Sequence, residues 1–358
     1  MVDWTKSMQQ TYEYYVVDPN TWKDTKPLRF VKSCSITRDD STDTLGSASI
    51  ELDEMIGECY IRVYLVTIQN DIKERHPLGT FLVQTMPSKF DGRIETISAD
   101  AYTPLLELKE NPVTLGYSIL KGENIMDRAG QIVREHVRAP VVETANYKTL
   151  EYDFVSDGEE NWLSYTADLI SVAKYKLALD ELGRILFAPE QELISLQPIT
   201  DYTDDNCSIL YPEISISKDL YGIPNVVEVV YSNGTNLIEV RVVNDDENSM
   251  TSTVNRGREI IHRDTNPSLP TNEDGSSNHS RAQIEEYARN LLKSLSSMEC
   301  TITYTHGYNG VRLGDCVRFI HKGAKLHNVK AKVISQTIKC EPGCPVSETA
   351  VFTKELWR

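Results

Sequence analysis

Short β-branched and aromatic blocks recur over residues 28 to 110, broken by Gly, Pro, Asn and Asp. "IRVYLVTI" (61–68), "TFLVQTM" (80–86) and "RIETISAD" (93–100) therefore predict strands. "VKSCSITR" (31–38) and "GSASIELD" (46–53), joined by the polar "DDSTDTL", predict a long hairpin. The Tyr-rich residues 1–27 read as an N-terminal extension, packed on a partner or on the domain itself. Loop 70–79 is expected to be exposed, as an interface or in solvent.

The period changes near residue 111. "ENIMDRAGQIVREHV" (123–137) places Ile125, Ala129, Ile132, Val133 and Val137 on one helical face, with Asn124 as cap. "SDGEENWLSYTADLISVA" (156–173) predicts a second helix, with Ser156 at the cap and Glu159 three residues on, the capping-box spacing. Its expected buried face is Trp162, Leu163, Thr166, Leu169, Ile170 and Ala173. "KLALD" and "RILFA" then read as two strands around "ELG", with Gly183 at a positive φ. That puts Asp180 and Glu181 at a hairpin tip. Acids there serve turn chemistry and solvation, whereas general-acid work needs a desolvated carboxyl. The expectation is a solvated turn.

After Pro198 the pattern returns to β in "EISIS" (213–217), "NVVEVVYS" (225–232) and "NLIEVRVVN" (236–244), with Asn233-Gly234 as a hairpin turn. Residues 266–280 read as a polar Pro/Gly-rich loop; "TNEDG" within it lacks the acid spacing of a calcium loop. A helix follows over 280–297, with Ser280 and Gln283 as its capping box and Ile284, Ala288, Leu291, Leu292 and Leu295 as its apolar stripe. The last 59 residues read as all β. The order is β, α/β, β, one long helix, and β again.

Composition adds exclusions. The 358 residues carry a net charge of -16, which argues against sequence-specific nucleic-acid binding, because phosphate affinity comes from Lys and Arg. No apolar run reaches the ~18 residues of a membrane span, and the start of the chain lacks the pattern of a secretion signal. Seven cysteines (34, 59, 207, 300, 316, 340 and 344) are scattered. Without a second Cys/His pair at ligand spacing they predict reduced, mostly buried thiols and no metal. No phosphate-cradling Gly-rich loop, nucleophile elbow or zinc-protease helix occurs. His76, before a proline in the polar loop, and His136, at a helix end where a cation suits the dipole, need no catalytic role. No catalytic, metal or cofactor residue is assigned, and no enzymatic activity is expected. A carboxylate-pair enzyme acting on peptidoglycan or carbohydrate is the competing class, since 53 acids make chance pairs inevitable.

Three stretches occur in a telling order: "ENWLSYTADLISVAKYKLALDELGRILFAP", "YGIPNVVEVVYSNG", and "GVRLGDCVRFIHKG" followed by "VKAKVISQTIKCEPGCPVSETAVFTKELW". Together, over residues 28 to 358, the chain resembles the baseplate hub proteins of contractile phage tails and phage-tail-like particles. The resemblance implies an α+β, mainly β fold of β-barrel-like domains interrupted by a smaller α/β domain. The divisions expected are an extension (1–27), a first β-barrel-like domain (28–110), an α/β insert (111–200), a second β-rich domain with the long helix (201–299), and a C-terminal β segment completing the β domains (300–358). It further implies a structural homotrimer in the virion tail baseplate, assembled in the host cytoplasm. The implied partners are the tail tube or a tube-initiator ring, the central spike and other baseplate proteins. Two similar β domains in each of three chains would match a six-fold tube. The acidic charge suits a lumen that passes DNA during ejection. Distal-tail or sheath-initiator proteins, usually six-fold, are the neighbouring alternative.

Overall fold

The computed structural model describes residues 2–90, 92–93, 95–205, 209–232, 237–269 and 279–357. The fold is α+β and mainly β, with 48% strand and 14% helix. It divides into two compact units: residues Met1–Ile214 with Thr303–Ala350, and residues Ser215–Ile302 with Val351–Arg358.

The first unit is built on an antiparallel ladder. Leu326–Lys339 pairs with Val31–Asp39, followed in order by Gly46–Leu52, Glu95–Tyr102, Ile72–Thr85, Cys59–Gln69, Gln9–Val17 and Asp24–Leu28. Alternation along Cys59–Gln69 explains its position. Ile61, Val63 and Leu65 enter the main core. On the opposite face Tyr60 joins Val17 and Leu82. Arg62 on that face is also buried, a placement tolerated because it is fully paired. The predicted 31–38/46–53 hairpin is present, with Cys34 opposite Ile50. Its return needs Gly46, at φ +136, because a Cβ there would meet the Thr37 carbonyl.

One expectation is narrowed here, to packing on the domain itself, and one changes. Residues 1–27 contain a full strand, Gln9–Val17, paired along its length with Cys59–Gln69. The alternation in "QTYEYYVV" is the signal for that strand. The expected loop 70–79 is mostly strand, since Ile72–Thr85 pairs with Cys59–Gln69 from Gln69↔Ile72 onward. Asn70 and Asp71, both at positive φ, form the tight hairpin turn.

The insert has its own core, running in sequence from Leu105 to Phe187. The helix Ile125–His136 starts at Asn124, whose side chain accepts from Asp127 N–H. The second helix begins later than the capping-box spacing predicts. It spans Trp162–Ser171, capped by Asn161, whose Oδ1 accepts from Ser164 N–H at 2.9 Å. Asp157 Oδ1 instead accepts from Glu159 and Glu160 N–H, and Gly158 lies at φ +86, so residues 156–160 form a turn. All of the predicted face, from Trp162 to Ala173, is buried.

The second unit contains a three-stranded sheet ordered Leu237–Val243, Val226–Ser232, Ile261–Thr265. The capping box of Ser280 and Gln283 is present on the helix Arg281–Leu295. Ile284, Ala288 and Leu292 pack on Val227, Val229 and Val240, with Leu291 and Leu295 at the margin. Asn225 explains the "IPN" lead-in. It is wholly buried, donates from Nδ2 to the Arg258 carbonyl at 2.9 Å and accepts at Oδ1 from Ile260 N–H at 2.7 Å. The Asn233-Gly234 turn and most of the 266–280 loop lie outside the described residues. The 201–299 division does not coincide with this unit, because Pro198–Thr203 pairs in parallel with Cys316–His321 of the first unit. The expected 300–358 segment is likewise divided between the two.

Replacing Asn161 with Ala should lower stability by about 1 kcal/mol, while Ser156→Ala should change it by less than about 0.5 kcal/mol. Urea titration followed by tryptophan fluorescence measures both, since Trp162 opens this helix.

Candidate functional site

The hairpin of Tyr175–Leu179 and Ile185–Pro189 forms with Leu177 opposite Phe187, as its pattern predicts. Gly183 takes φ +73. Its environment is the correction: the tip is not solvated. Glu181 is buried. Its Oε1 lies 2.7 Å from Arg312 Nε and 3.8 Å from Arg38 Nη1. Asp180 is used locally, accepting from Arg184 N–H at 2.8 Å and from Arg184 Nε at 2.6 Å.

The backbone of the tip is clamped as well. Trp22 Nε1 donates to the Leu182 carbonyl at 2.7 Å, and Arg62 Nη2 donates to the same oxygen at 3.1 Å. Arg62 also donates from Nε to Thr80 Oγ1 at 2.9 Å and pairs with Asp24 at 2.8 Å. At Gly183 a Cβ would come within 2.7 Å of Thr80 Cβ and 3.2 Å of Trp22 Cζ2. The glycine therefore serves close approach and left-handed backbone together.

Beside the tip is a cleft of ≈ 460 Å³ with mainly apolar walls, among them Leu78, Leu186 and Leu313. Its charged groups are largely committed. Lys176 is bonded to Asp40 at 2.6 Å, Arg312 to Glu181, and Asp315 Oδ2 accepts from Arg312 N–H at 2.8 Å. Asp315 closes a turn over Leu313, Gly314 and Asp315, with Gly314 at φ +83.

Arg38 links this site to a second polar cluster. Its Nη1 donates to Gln336 Oε1 at 3.1 Å, and Gln336 Nε2 donates to the Val311 carbonyl at 2.9 Å and to Glu348. Glu348 is buried and also accepts from Tyr304 OH. His306 Nε2 lies 3.2 Å from Glu348 Oε1, off the line of a good hydrogen bond, while Nδ1 donates to the Gly307 carbonyl at 2.6 Å. Burial pushes the Tyr202 and Tyr304 phenols well up, which keeps them neutral and able to donate. The cluster is sealed from solvent. It ties strands together.

The two histidines singled out in the sequence have ordinary packing. His76 lies within the strand Ile72–Thr85, 3.1 Å from Thr67 Oγ1 and edge-on to Trp4. His136 stacks on Trp162 at 4.3 Å. Burial lowers both imidazoles, against the cation-favouring helix end read from sequence for His136.

 The ordinary imidazole value is 6.5, and both rings should titrate below it. On acidification the unfolded chain then takes up these protons first. Stability contributed by the neutral rings is present above 6.5 and is lost as pH falls below that value. Proton NMR of the imidazole resonances checks this; midpoints at or above 6.5 contradict it.

Among the described residues no group of three or more His, Cys, Asp or Glu is arranged to hold a metal ion. No helix there is long and apolar enough to cross a membrane. Sequence reasoning missed Arg38 and Arg312 as partners of the tip. Arg38 alternates like any exposed strand residue, and nothing local couples it to a glutamate so far along the chain.

No protein-family model and no curated protein matches the chain. Solved structures do match in fold. The tail protein from Neisseria meningitidis MC58 superposes with a TM-score of 0.61 at 12% identity, over 97% of this chain and 98% of that one. The 43 kDa tail protein of prophage MuSo2 from Shewanella oneidensis gives 0.61 at 12% identity, over 96% and 98%. The chain thus shares its fold with these two tail proteins along nearly its whole length.

Glu181→Ala should cost about 3 kcal/mol, because it leaves Arg38 without its carboxylate in a poorly solvated site. Exposed Arg312 contributes little of that. Gly183→Ala should cost about 2 kcal/mol through backbone strain and the Thr80 contact. Chemical denaturation of each variant measures these losses.

Proposed function

We propose that this chain is a structural baseplate hub component of a phage tail or tailocin. Three copies form a ring that joins the tail tube, or its initiator ring, to the central spike, and adapts three-fold to six-fold symmetry. Its place is the virion tail, after assembly in the host cytoplasm with other baseplate proteins. The observation that carries this reading is the end-to-end fold likeness to two tail proteins, over 97% and 96% of the chain. The polar groups fit a non-enzymatic role. Asp180, Glu181 and Glu348 are each engaged in hydrogen bonds or ion pairs that hold strands or turns together.

Solution mass tests the proposal. Light scattering after gel filtration, with tube and spike proteins added where the chain alone does not close, should find three chains of 40.6 kDa in the ring, about 122 kDa. Six copies would support the distal-tail alternative, and a persistent monomer in the presence of both neighbours would contradict the ring. Loss of turbidity from purified cell walls, abolished by one carboxylate substitution, would instead establish an enzyme.

A further inference from the structure

Cys340 directly follows the strand Leu326–Lys339, one step past its last pair with Val31–Asp39, and so reaches Cys34. The register sets Ile338 opposite Ile36 and Lys339 opposite Ser35. At the next step Cys340 N–H donates to the Cys34 carbonyl at 2.9 Å. Opposed residues of an antiparallel ladder have Cα atoms about 4.5–5.5 Å apart, inside the ~4.4–6.8 Å range that a disulfide spans. Both side chains turn to the same core, Cys34 as a buried member and Cys340 packed at its edge. Both are free thiols. A hydrogen bond with Cys34, and then burial, push the Cys340 thiol far up.

We propose that Cys34 and Cys340 are a latent disulfide, which closes when the folded protein meets a low-molecular-weight disulfide such as oxidised glutathione. Cys340, the more exposed of the two, attacks as thiolate. A bond forms from its Sγ to one glutathione sulfur, the glutathione S–S bond breaks, and the departing thiolate takes up a proton. Cys34, deprotonated in turn, attacks Cys340 Sγ and displaces the second glutathione, which also becomes a thiol. Two protein thiols are oxidised to one disulfide, and one small disulfide is reduced to two thiols. The raised thiol makes thiolate scarce, which slows closure.

The bridge would tie a strand from the early chain to one from the late chain and restrict the unfolded ensemble. Its chemistry does not depend on the proposed function. Its use, a protein that hardens after leaving the reducing interior of a cell, rests on the tail reading.

The test incubates the unmodified full chain, folded, with oxidised glutathione for up to a day. Acid quench, alkylation in denaturant and non-reducing peptide mapping then locate the bonds. The expected result is a fall from seven free thiols to five, with the peptides of Cys34 and Cys340 cross-linked. The thermal midpoint should rise and return when dithiothreitol is added. Cys344→Ser should leave the bridge intact, and Cys34→Ser should abolish the rise. Seven free thiols, a glutathione adduct that never resolves, or a bridge between any other pair would overturn the proposal. Mapping on the unmodified chain decides the matter even where a variant fails to fold. None of these failures touches the ring proposal, which is read from mass.

Discussion

A carboxylate taken out of water must find cations or donors, and Glu181 finds Arg38 and Arg312. These three residues come from the insert hairpin, an early strand and a late turn. Their meeting therefore requires the long-range pairing of Leu326–Lys339 with Val31–Asp39. The same tip is held through its backbone by Trp22 and Arg62. One short hairpin thus sets how the insert core and the strand ladder of the first unit fit together. The energy lies less in the ion pair itself than in the cost of leaving a buried charge alone.

Arg38 extends this arrangement into the cluster of Gln336, Glu348, Tyr304 and His306. A polar network of this kind specifies geometry, because each misplaced strand would strand a donor or a carboxylate. Such constraint suits a part that must present fixed surfaces to several neighbours.

Much of the secondary structure was legible because it rests on local chemistry. Asn124, Ser280 and Gln283 cap their helices as their types and spacing predict, and Gly183 takes the positive φ its turn requires. Ser156 misled because a capping-box spacing is satisfied by any nearby acid; Asp157 took the free N–H groups and left the cap to Asn161. The strand in residues 1–27 was obscured by its tyrosines, which suit a surface as well as a sheet. The burial of Glu181 could not be read at all, since its partners adjoin it only after strands distant in the chain have paired. Likewise the closeness of Cys34 and Cys340 follows from register, which spacing along the chain does not reveal.

The most direct measurement is an electron-microscopy reconstruction of the assembled particle, computed at the tail tip without imposed symmetry. The account predicts one ring of three copies of this chain, with tube subunits on one side and the spike on the other. A ring of six copies, or the absence of this chain from the particle, would contradict it.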